Sequence, residues 1–293
     1  MSALAAISVA VIAWWISTGA VILLARMGER HVGMVMAIAT AIALGGLYGL
    51  DASLDDKSAS GAYLGFFSAL GLWTWHETAF LLGIVTGPRR IAYRQHPMEA
   101  TRFRAAFMAV RDHELALAAT ALALLVLMAG GANPTGLYTF LLMWVMRLSA
   151  KANIFLGAPH AISDMLPDRL SYLKSYFSTE KINPFFWFSI AATSLIFIGL
   201  CVAAAISTNA HETAMWCLLA AFAGLALVEH FFLVLPVRDS MLWAWAMATC
   251  PARPRDDVKE RRSELPGGSG ELENKSKETH GPKAVRHAEG AVS

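Results

Sequence analysis

The hydrophobic positions of this chain form seven long runs separated by short polar segments. Each run holds roughly the 20 apolar residues that a helix needs to cross a hydrocarbon core about 30 Å thick. The predicted helices cover about residues 3–25, 33–50, 60–86, 113–130, 135–157, 185–206 and 213–236. The second run is the least regular, because Gly45, Gly46 and Gly49 lower its helix propensity and Asp51 cuts it short. The pattern predicts an all-α, polytopic integral membrane bundle of about seven transmembrane helices.

The composition supports the same class of protein. The 293 residues are 56% hydrophobic and 16% charged, with a mean hydropathy of +0.48. From about residue 250 the chain becomes rich in charged residues, glycine and serine, and such a segment cannot bury enough apolar surface to fold. We therefore expect a membrane domain with interfacial loops over 1–249, followed by a disordered, charged cytoplasmic tail over 250–293.

The basic residues predict an orientation. Of the 24 lysines and arginines, 21 flank one face of the predicted bundle, and only Lys57 flanks the other. Cytoplasmic segments retain such residues during insertion, so the N-terminus is expected outside and the C-terminus in the cytoplasm. The cytoplasmic basic loop includes Arg89, Arg90, Arg102 and Arg104, which we expect to meet anionic lipid headgroups. A nucleic-acid partner is not expected.

Two cytoplasmic segments have the amphipathic pattern of helices that lie in the membrane interface. In the first, arginines of 87–112 alternate with Phe103 and Phe107. In the second, the apolar positions Leu166, Leu170, Leu173 and Phe177 are spaced four, three and four residues apart. Both segments are interpreted as membrane-anchored loops or, alternatively, as docking surfaces for partner proteins.

Ionisable residues inside the apolar runs are the strongest indication of function. An arginine or lysine at the centre of a spanning helix costs about 2.5–3.5 kcal/mol even on insertion-derived scales, so it is usually retained for a partner or a function. At about 1.5 Å per residue, the polar groups of four predicted helices fall at similar depths in the cytoplasmic half of the bilayer. The candidate intramembrane polar cluster consists of His76, Glu77, His113, Glu114, Arg147, Lys151, Asn153, Glu229 and His230.

Three interpretations of this cluster stay open. Its three glutamates face two fixed cations, so a proton, a protonated histidine or a bound metal ion is needed to balance the charge. The cluster is then a buried salt-bridge network that fixes helix register, a metal or pigment site, or a path for protons or substrate. Candidate ligands for a divalent metal or for the magnesium of bacteriochlorophyll are His76, His113, Glu229 and His230. No catalytic residues are assigned.

Several motifs are shared with a known family. They are Trp14–Ala20, Gly61–Leu64, Trp75–Glu77 with Thr86–Arg90, His113–Thr120, Trp144–Lys151, and Glu229–His230 with Phe232–Pro236. On these motifs, most of residues 10–240 resembles the PuhE-type photosynthetic complex assembly proteins of phototrophic bacteria. The tail after about residue 250 lies outside the resemblance.

The resemblance implies a multi-pass protein of the bacterial inner, intracytoplasmic photosynthetic membrane. Such a protein would help to assemble the reaction-centre and core light-harvesting complex, either by handling bacteriochlorophyll or by chaperoning subunits. Reaction-centre or core antenna subunits are then the expected partners. The resemblance brings no reaction with it, so we expect a non-enzymatic assembly factor. The alternatives are a metal-dependent membrane enzyme that uses the His and Glu residues of the cluster, and a transporter or proton path.

Overall fold

The computed structural model describes residues 3–94, 101–161, 166–237 and 239–248. These residues form α-helices and two 3-10 helices, with no β-strand among them. The α-helices are α1 (Ala3–Ala52), α2 (Ala59–Leu81), α3 (Arg102–Leu127), α4 (Thr135–Leu156), α5 (Pro184–Ile206), α6 (Ala210–Phe232) and the short α7 (Ala244–Ala248). The 3-10 helices span Asp168–Tyr176 and Asp239–Trp243. The all-α class is confirmed, and the predicted tail over 250–293 lies outside the described residues.

Five segments within the described residues are long and apolar enough to cross a membrane. They are Ala3–Gly28, Arg30–Ala52, Thr135–Leu156, Pro184–Ile206 and Ala210–Phe232. The first two are the halves of α1, which is interrupted at His31, where φ is −134° and ψ is 52°. With 23 and 26 residues, α2 and α3 have sufficient length, but neither is among these five apolar segments. Five of the seven predicted spans therefore correspond to these segments, and the spans predicted at α2 and α3 stay predictions.

Helix α2 lies at the centre of the bundle and contacts α1, α3, α4 and α6. Glycines bring its neighbours close: a Cβ atom at Gly46 of α1 would lie 2.6 Å from the backbone oxygen of Ser68. Similarly, a Cβ atom at Gly136 of α4 would lie 3.0 Å from the backbone oxygen of Gly65. Gly46 is one of the glycines that lower the helix propensity of this run. At this position only glycine allows α1 to approach α2 so closely.

Three helices begin at a residue whose side chain accepts a hydrogen bond from the first turn. The acceptors are Ser58 for α2, at 3.1 Å, Asn183 for α5, at 3.0 Å, and Asn209 for α6, at 2.9 Å. These bonds satisfy backbone N–H groups that have no partner within the helix. The polar residue before each apolar run therefore determines where its helix starts.

The two amphipathic segments differ from their prediction. Helix α3 begins at Arg102, so the segment with Phe103 and Phe107 is the first part of a helix that was expected to begin at 113. The second amphipathic segment forms the 3-10 helix Asp168–Tyr176, whose Leu170 and Leu173 are buried against Phe80 and the start of α3. Its apolar side therefore packs on the protein, which accounts for the spacing without an interfacial helix.

Candidate functional site

Helix α4 carries both cations of the predicted cluster, and Lys151 makes the tighter ion pair. Its Nζ lies 2.6 Å from Oε1 of Glu114 on α3, and both side chains are largely buried. The other carboxylate oxygen of Glu114 accepts a hydrogen bond from Nε1 of Trp144, at 3.3 Å. The ammonium also lies 5.1 Å from the centre of the Phe80 ring, a favourable distance for a cation–π contact. Both charges of this pair are therefore well compensated.

The second ion pair, between Arg147 and Glu77 of α2, is looser and open to one side. A guanidinium nitrogen of Arg147 lies 3.5 Å from Oε2 of Glu77. The Glu77 side chain is only 7% exposed, whereas that of Arg147 is 47% exposed. The remaining oxygen of Glu77 is buried and has no hydrogen-bond partner among the described residues. This pair thus presents a cation at the surface of the bundle and leaves an acceptor unused inside it.

The polar residues of α6 are tied to α1 and α4. Nε1 of Trp14 donates to Oε1 of Glu229, at 2.9 Å. Nδ1 of His230 lies 2.7 Å from the backbone oxygen of Ala226, and Nε2 lies 2.9 Å from the hydroxyl of Ser149. Because a carbonyl oxygen only accepts, Nδ1 carries the proton in its contact with Ala226. Glu229 is also within electrostatic range of Arg147, which links this group to the open pair.

The other two histidines are less satisfied. His76 contacts the hydroxyl of Thr120 through Nε2, at 3.0 Å, and its Nδ1 has no partner among the described residues. His113 is fully enclosed, its ring lies 4.5 Å from that of Phe80, and neither of its nitrogens has a partner in the described part of the chain. The described residues contain no group of three or more His, Cys, Asp or Glu side chains placed to hold a metal ion. The candidate ligands therefore do not converge there.

Asn153, also predicted for the cluster, belongs to a neutral network between α4 and α5. Its Nδ2 donates to the backbone oxygen of Ser149, at 3.0 Å, and to the hydroxyl of Ser189, at 2.9 Å. Its Oδ1 accepts from Nδ2 of Asn183, at 3.2 Å. These bonds satisfy the amide without using a charge, so Asn153 holds two helices together beside the ion pairs.

The predicted basic loop has no single environment. Nε of Arg89 donates to the hydroxyl of Tyr176, at 2.8 Å, and that hydroxyl donates to the backbone oxygen of Ile91, at 2.7 Å. Arg102 and Arg104 lie in the first turn of α3, where Arg104 is exposed. Arg89 therefore fastens the loop to the 3-10 helix Asp168–Tyr176. Arg104 is exposed, and its contact with a lipid headgroup stays a prediction.

Several partners in these contacts were not among the predicted site residues, and Trp14, Thr120 and Ser149 are examples. The position of Trp14 inside an apolar run is an available signal, because a buried indole N–H normally needs an acceptor. Ser149 lies between Arg147 and Lys151 in the sequence and is therefore on the same stretch of α4. For Thr120 the sequence offers no comparable signal, since a threonine inside a helix usually bonds its own backbone.

A helical bundle with five membrane-length apolar segments and ion pairs between its helices is an integral membrane protein of the multi-helix class. Within that class, the chain belongs to the family described as protein of unknown function (DUF3623), whose model matches residues 1–253. It is 34% identical over 241 residues to an uncharacterized 30.4 kDa protein in the puhA 5′ region of Rhodobacter capsulatus, covering 80% of this chain and 87% of that protein. No solved structure matches the chain.

Proposed function

We propose that this protein is a membrane-integral assembly factor for the photosynthetic reaction-centre and core light-harvesting complex. The puhA-region position of the Rhodobacter capsulatus relative supports a role connected with photosynthesis, as does the resemblance to PuhE-type assembly proteins. In this proposal the protein resides in the intracytoplasmic photosynthetic membrane and binds reaction-centre or core antenna subunits. Its chemistry is recognition of another membrane polypeptide, without a reaction of its own.

The proposal includes seven spans, with the N-terminus outside and the C-terminus in the cytoplasm. Helices α2 and α3 pair their glutamates with Arg147 and Lys151 of α4, which is one of the five apolar segments. Both helices therefore lie alongside a segment suited to crossing the membrane, and their polar residues face it. The distribution of lysine and arginine supports the orientation.

The observation that carries the proposal is the exposure of Arg147. It lies near the middle of α4, flanked by Val145 and Leu148, which are 48% and 42% exposed. A half-exposed guanidinium at this depth would contact hydrocarbon, and this is costly unless a polar group covers it. A partner helix that offers a carboxylate or backbone carbonyl would supply that group, and the adjacent Leu148 would add apolar contact.

The protein could assist assembly by chaperoning subunits or by handling bacteriochlorophyll, and the geometry favours the first of these. A ligand for the magnesium of bacteriochlorophyll needs an imidazole nitrogen that the pigment can approach. His113 has both nitrogens without a partner in the described part of the chain, but its ring is fully enclosed. His230 uses both nitrogens in hydrogen bonds within the bundle. The accessible polar group is Arg147, and an arginine suits a polypeptide partner better than a magnesium ion.

The test compares a phototrophic strain that lacks the gene with the same strain complemented by the wild-type gene. We expect the deletion to reduce the near-infrared absorption bands of the core complex in membranes, and complementation to restore them. An affinity-tagged copy should retain reaction-centre or core antenna subunits after mild solubilisation. Unchanged spectra and phototrophic growth in the deletion strain would overturn the proposal.

The role of Arg147 needs a variant that keeps the fold. The double variant Arg147→Ala with Glu77→Gln removes both charges together, so no carboxylate is left buried without its cation. We expect it to accumulate normally but to lose complementation and subunit retention. Val145→Ala is the matched control, because it alters an exposed position on roughly the opposite side of α4 from Arg147 without touching a charge. Full complementation by the double variant would show that partner recognition does not use this arginine.

A further inference from the structure

A cavity of about 300 Å³ lies between the end of α2 and the 3-10 helix Asp168–Tyr176, apart from the ion pairs described above. Its volume is at the lower end of the range of about 300–1,000 Å³ that small-molecule sites occupy. The cavity is lined by Leu82, Gly83, Thr86, Arg90, Arg169, Leu170 and Tyr172. Two of its seven lining residues are cations and none is acidic.

The two arginines are held in place by backbone groups. Arg169 donates to the backbone oxygens of Leu82, at 2.9 Å, and Gly28, at 3.3 Å. Arg90 donates to the backbone oxygens of Ile84, at 3.3 Å, and Gly87, at 3.4 Å. Neither guanidinium has a carboxylate partner among the described side chains. Carbonyl oxygens orient a guanidinium without neutralising it, so the cavity keeps two positive charges.

Two buried hydroxyls add to this pattern. Thr86 is 1% exposed, and apart from their contact with each other, neither its hydroxyl nor that of Tyr172 has a partner among the described residues. Burial raises the pKa of the Tyr172 hydroxyl, against the opposing effects of the Thr86 hydroxyl and the Arg90 charge, so Tyr172 keeps its proton at neutral pH. Hydroxyls that are buried without a partner usually indicate a missing ligand or water. Here both can donate to an acceptor in a cationic cavity.

We propose that this cavity binds a phosphate ester anion, with Arg90 and Arg169 supplying the charge and Thr86 and Tyr172 donating hydrogen bonds. Phosphate oxygens accept several bonds at once and match the planar array of N–H donors of arginine. The binding step forms only hydrogen bonds and ion pairs. It is independent of the assembly role, because none of these four residues takes part in the ion pairs of α4.

The ligand chemistry has two sources, a lipid headgroup and a soluble phosphate. Exposed apolar residues near the cavity, Ile84 and Ile91, and Phe103 and Phe107 of α3, are compatible with a position at the membrane surface. A lipid would therefore place its phosphodiester in the cavity and its chains against these residues, while a soluble phosphate would enter from the cytoplasm. Both are recognised by the same four side chains.

The experiment uses the purified full-length chain in a neutral detergent and follows its thermal unfolding midpoint. The probes are phosphatidylglycerol, inorganic phosphate and, as an uncharged reference without phosphate, diacylglycerol. A midpoint that rises with phosphatidylglycerol alone identifies a lipid headgroup, and one that also rises with inorganic phosphate identifies the phosphate itself as sufficient. A midpoint that rises equally with diacylglycerol, or with none of the three, overturns the proposal.

Variants then separate a built site from general attraction to a basic surface. We expect Arg90→Gln to raise the apparent dissociation constant about tenfold or more, because it removes a charged donor. Arg104→Gln is the matched control, since it removes one charge from an exposed position outside the cavity and should change binding less than about twofold. Equal losses in the two variants would overturn the proposal.

Two hydroxyl variants test the site even if the arginine variant fails to fold. Tyr172→Phe and Thr86→Val remove only hydroxyls whose one contact in the described part of the chain is with each other, so the unfolding midpoint without anion should change little. With anion present, each should weaken binding about fivefold. Wild-type binding by both hydroxyl variants would contradict the assignment of these donors.

Discussion

The junction around Asn133 and the polar cluster around Arg147 solve the same problem, burial of polar groups, in opposite ways. Asn133 lies before α4 and is almost fully buried, and its Nδ2 donates to the backbone oxygens of Ser53 and Gly61, each at 2.9 Å. Its Oδ1 accepts from the backbone N–H and the hydroxyl of Thr135, at 3.1 and 2.7 Å. All four hydrogen-bonding positions of the amide are filled without a charge.

The polar cluster, by contrast, uses full charges and leaves some groups unsatisfied. Among the described residues, Glu77 keeps one buried oxygen without a partner and His113 keeps two such nitrogens, while Arg147 is half exposed. Each unsatisfied group costs free energy in the folded state, so a purely structural network gains nothing from it. The Asn133 junction is fully satisfied, whereas the unused groups on the Arg147 side of the cluster are what the proposed binding of a partner would explain.

The largest effect is expected at the tight ion pair of the cluster. Lys151→Met removes the cation 2.6 Å from Glu114 and leaves a buried carboxylate with only Trp144 as donor. Losing one member of a buried pair typically lowers the free energy of unfolding by about 3–5 kcal/mol. We expect little protein to accumulate in the membrane, as measured by immunoblot, and a much lower midpoint in denaturant.

The control for this prediction is the double variant Lys151→Met with Glu114→Gln. It replaces both charges with neutral groups and keeps an acceptor for Trp144, so most of the lost stability should return. If the double variant is as unstable as Lys151→Met, shape at these positions matters more than charge.

A smaller loss of stability is expected at the neutral junction. Asn133→Ala leaves two backbone oxygens and one backbone N–H without their partner, and each such buried group costs about 1–3 kcal/mol where water cannot replace the bond. Nearby exposed residues such as Asp55 give water some access, which moderates the loss. Asn209→Ala is the matched control, because it removes an exposed helix cap worth about 0.5–2 kcal/mol. An unfolding midpoint for Asn133→Ala above that of Asn209→Ala would contradict the structural role of the junction.

A still smaller effect is expected for the neutral contact between α4 and α6. Ser149→Ala removes the hydrogen bond to Nε2 of His230, which is worth about 0.5–1.5 kcal/mol. Ser207→Ala is its control, since that hydroxyl bonds only the backbone oxygen of Ala203 in its own helix. Denaturant unfolding should place Ser149→Ala below this control. Equal midpoints would mean that the bond to His230 contributes no net stability.

The sequence was sufficient to predict the helical class and the meeting of the two α4 cations with glutamates of other helices. Long apolar runs define helices, and Arg147 and Lys151 four residues apart predict a shared region of α4 that must meet carboxylates. It was not sufficient to predict the pairing, in which Lys151 meets Glu114 and Arg147 meets Glu77. Pairing depends on the rotation and tilt of each helix, and these are set by close contacts such as that between Gly65 and Gly136.

The Asn133 junction was not predicted, although its segment carries a signal. Asn133 and Pro134 form a dipeptide that often initiates turns, between α3 and α4. The signal gives a turn but not its partners, because Ser53 and Gly61 lie more than 70 residues earlier in the chain. Long-range neutral hydrogen bonds leave no periodic trace in a sequence, whereas a charge in an apolar run is visible at once. The cluster was therefore predicted because charged residues in an apolar run are energetically costly. The junction could be recognised only from the hydrogen bonds in the structure.

The smallest change in stability, and the sharpest test of the comparison, is expected at His113. Its enclosed ring has no polar partner in the described part of the chain, so leucine, which has a similar volume, removes two unsatisfied nitrogens and keeps contact with Phe80. The free energy of unfolding, measured with denaturant, should stay the same or rise by up to about 1 kcal/mol. His230→Leu is the control, because both of its nitrogens are bonded and its loss should be destabilising. If His113→Leu instead destabilises the protein as much as His230→Leu does, His113 has a polar partner that completes the cluster. The unsatisfied groups that distinguish the cluster from the Asn133 junction would then be those of Arg147 and Glu77 alone.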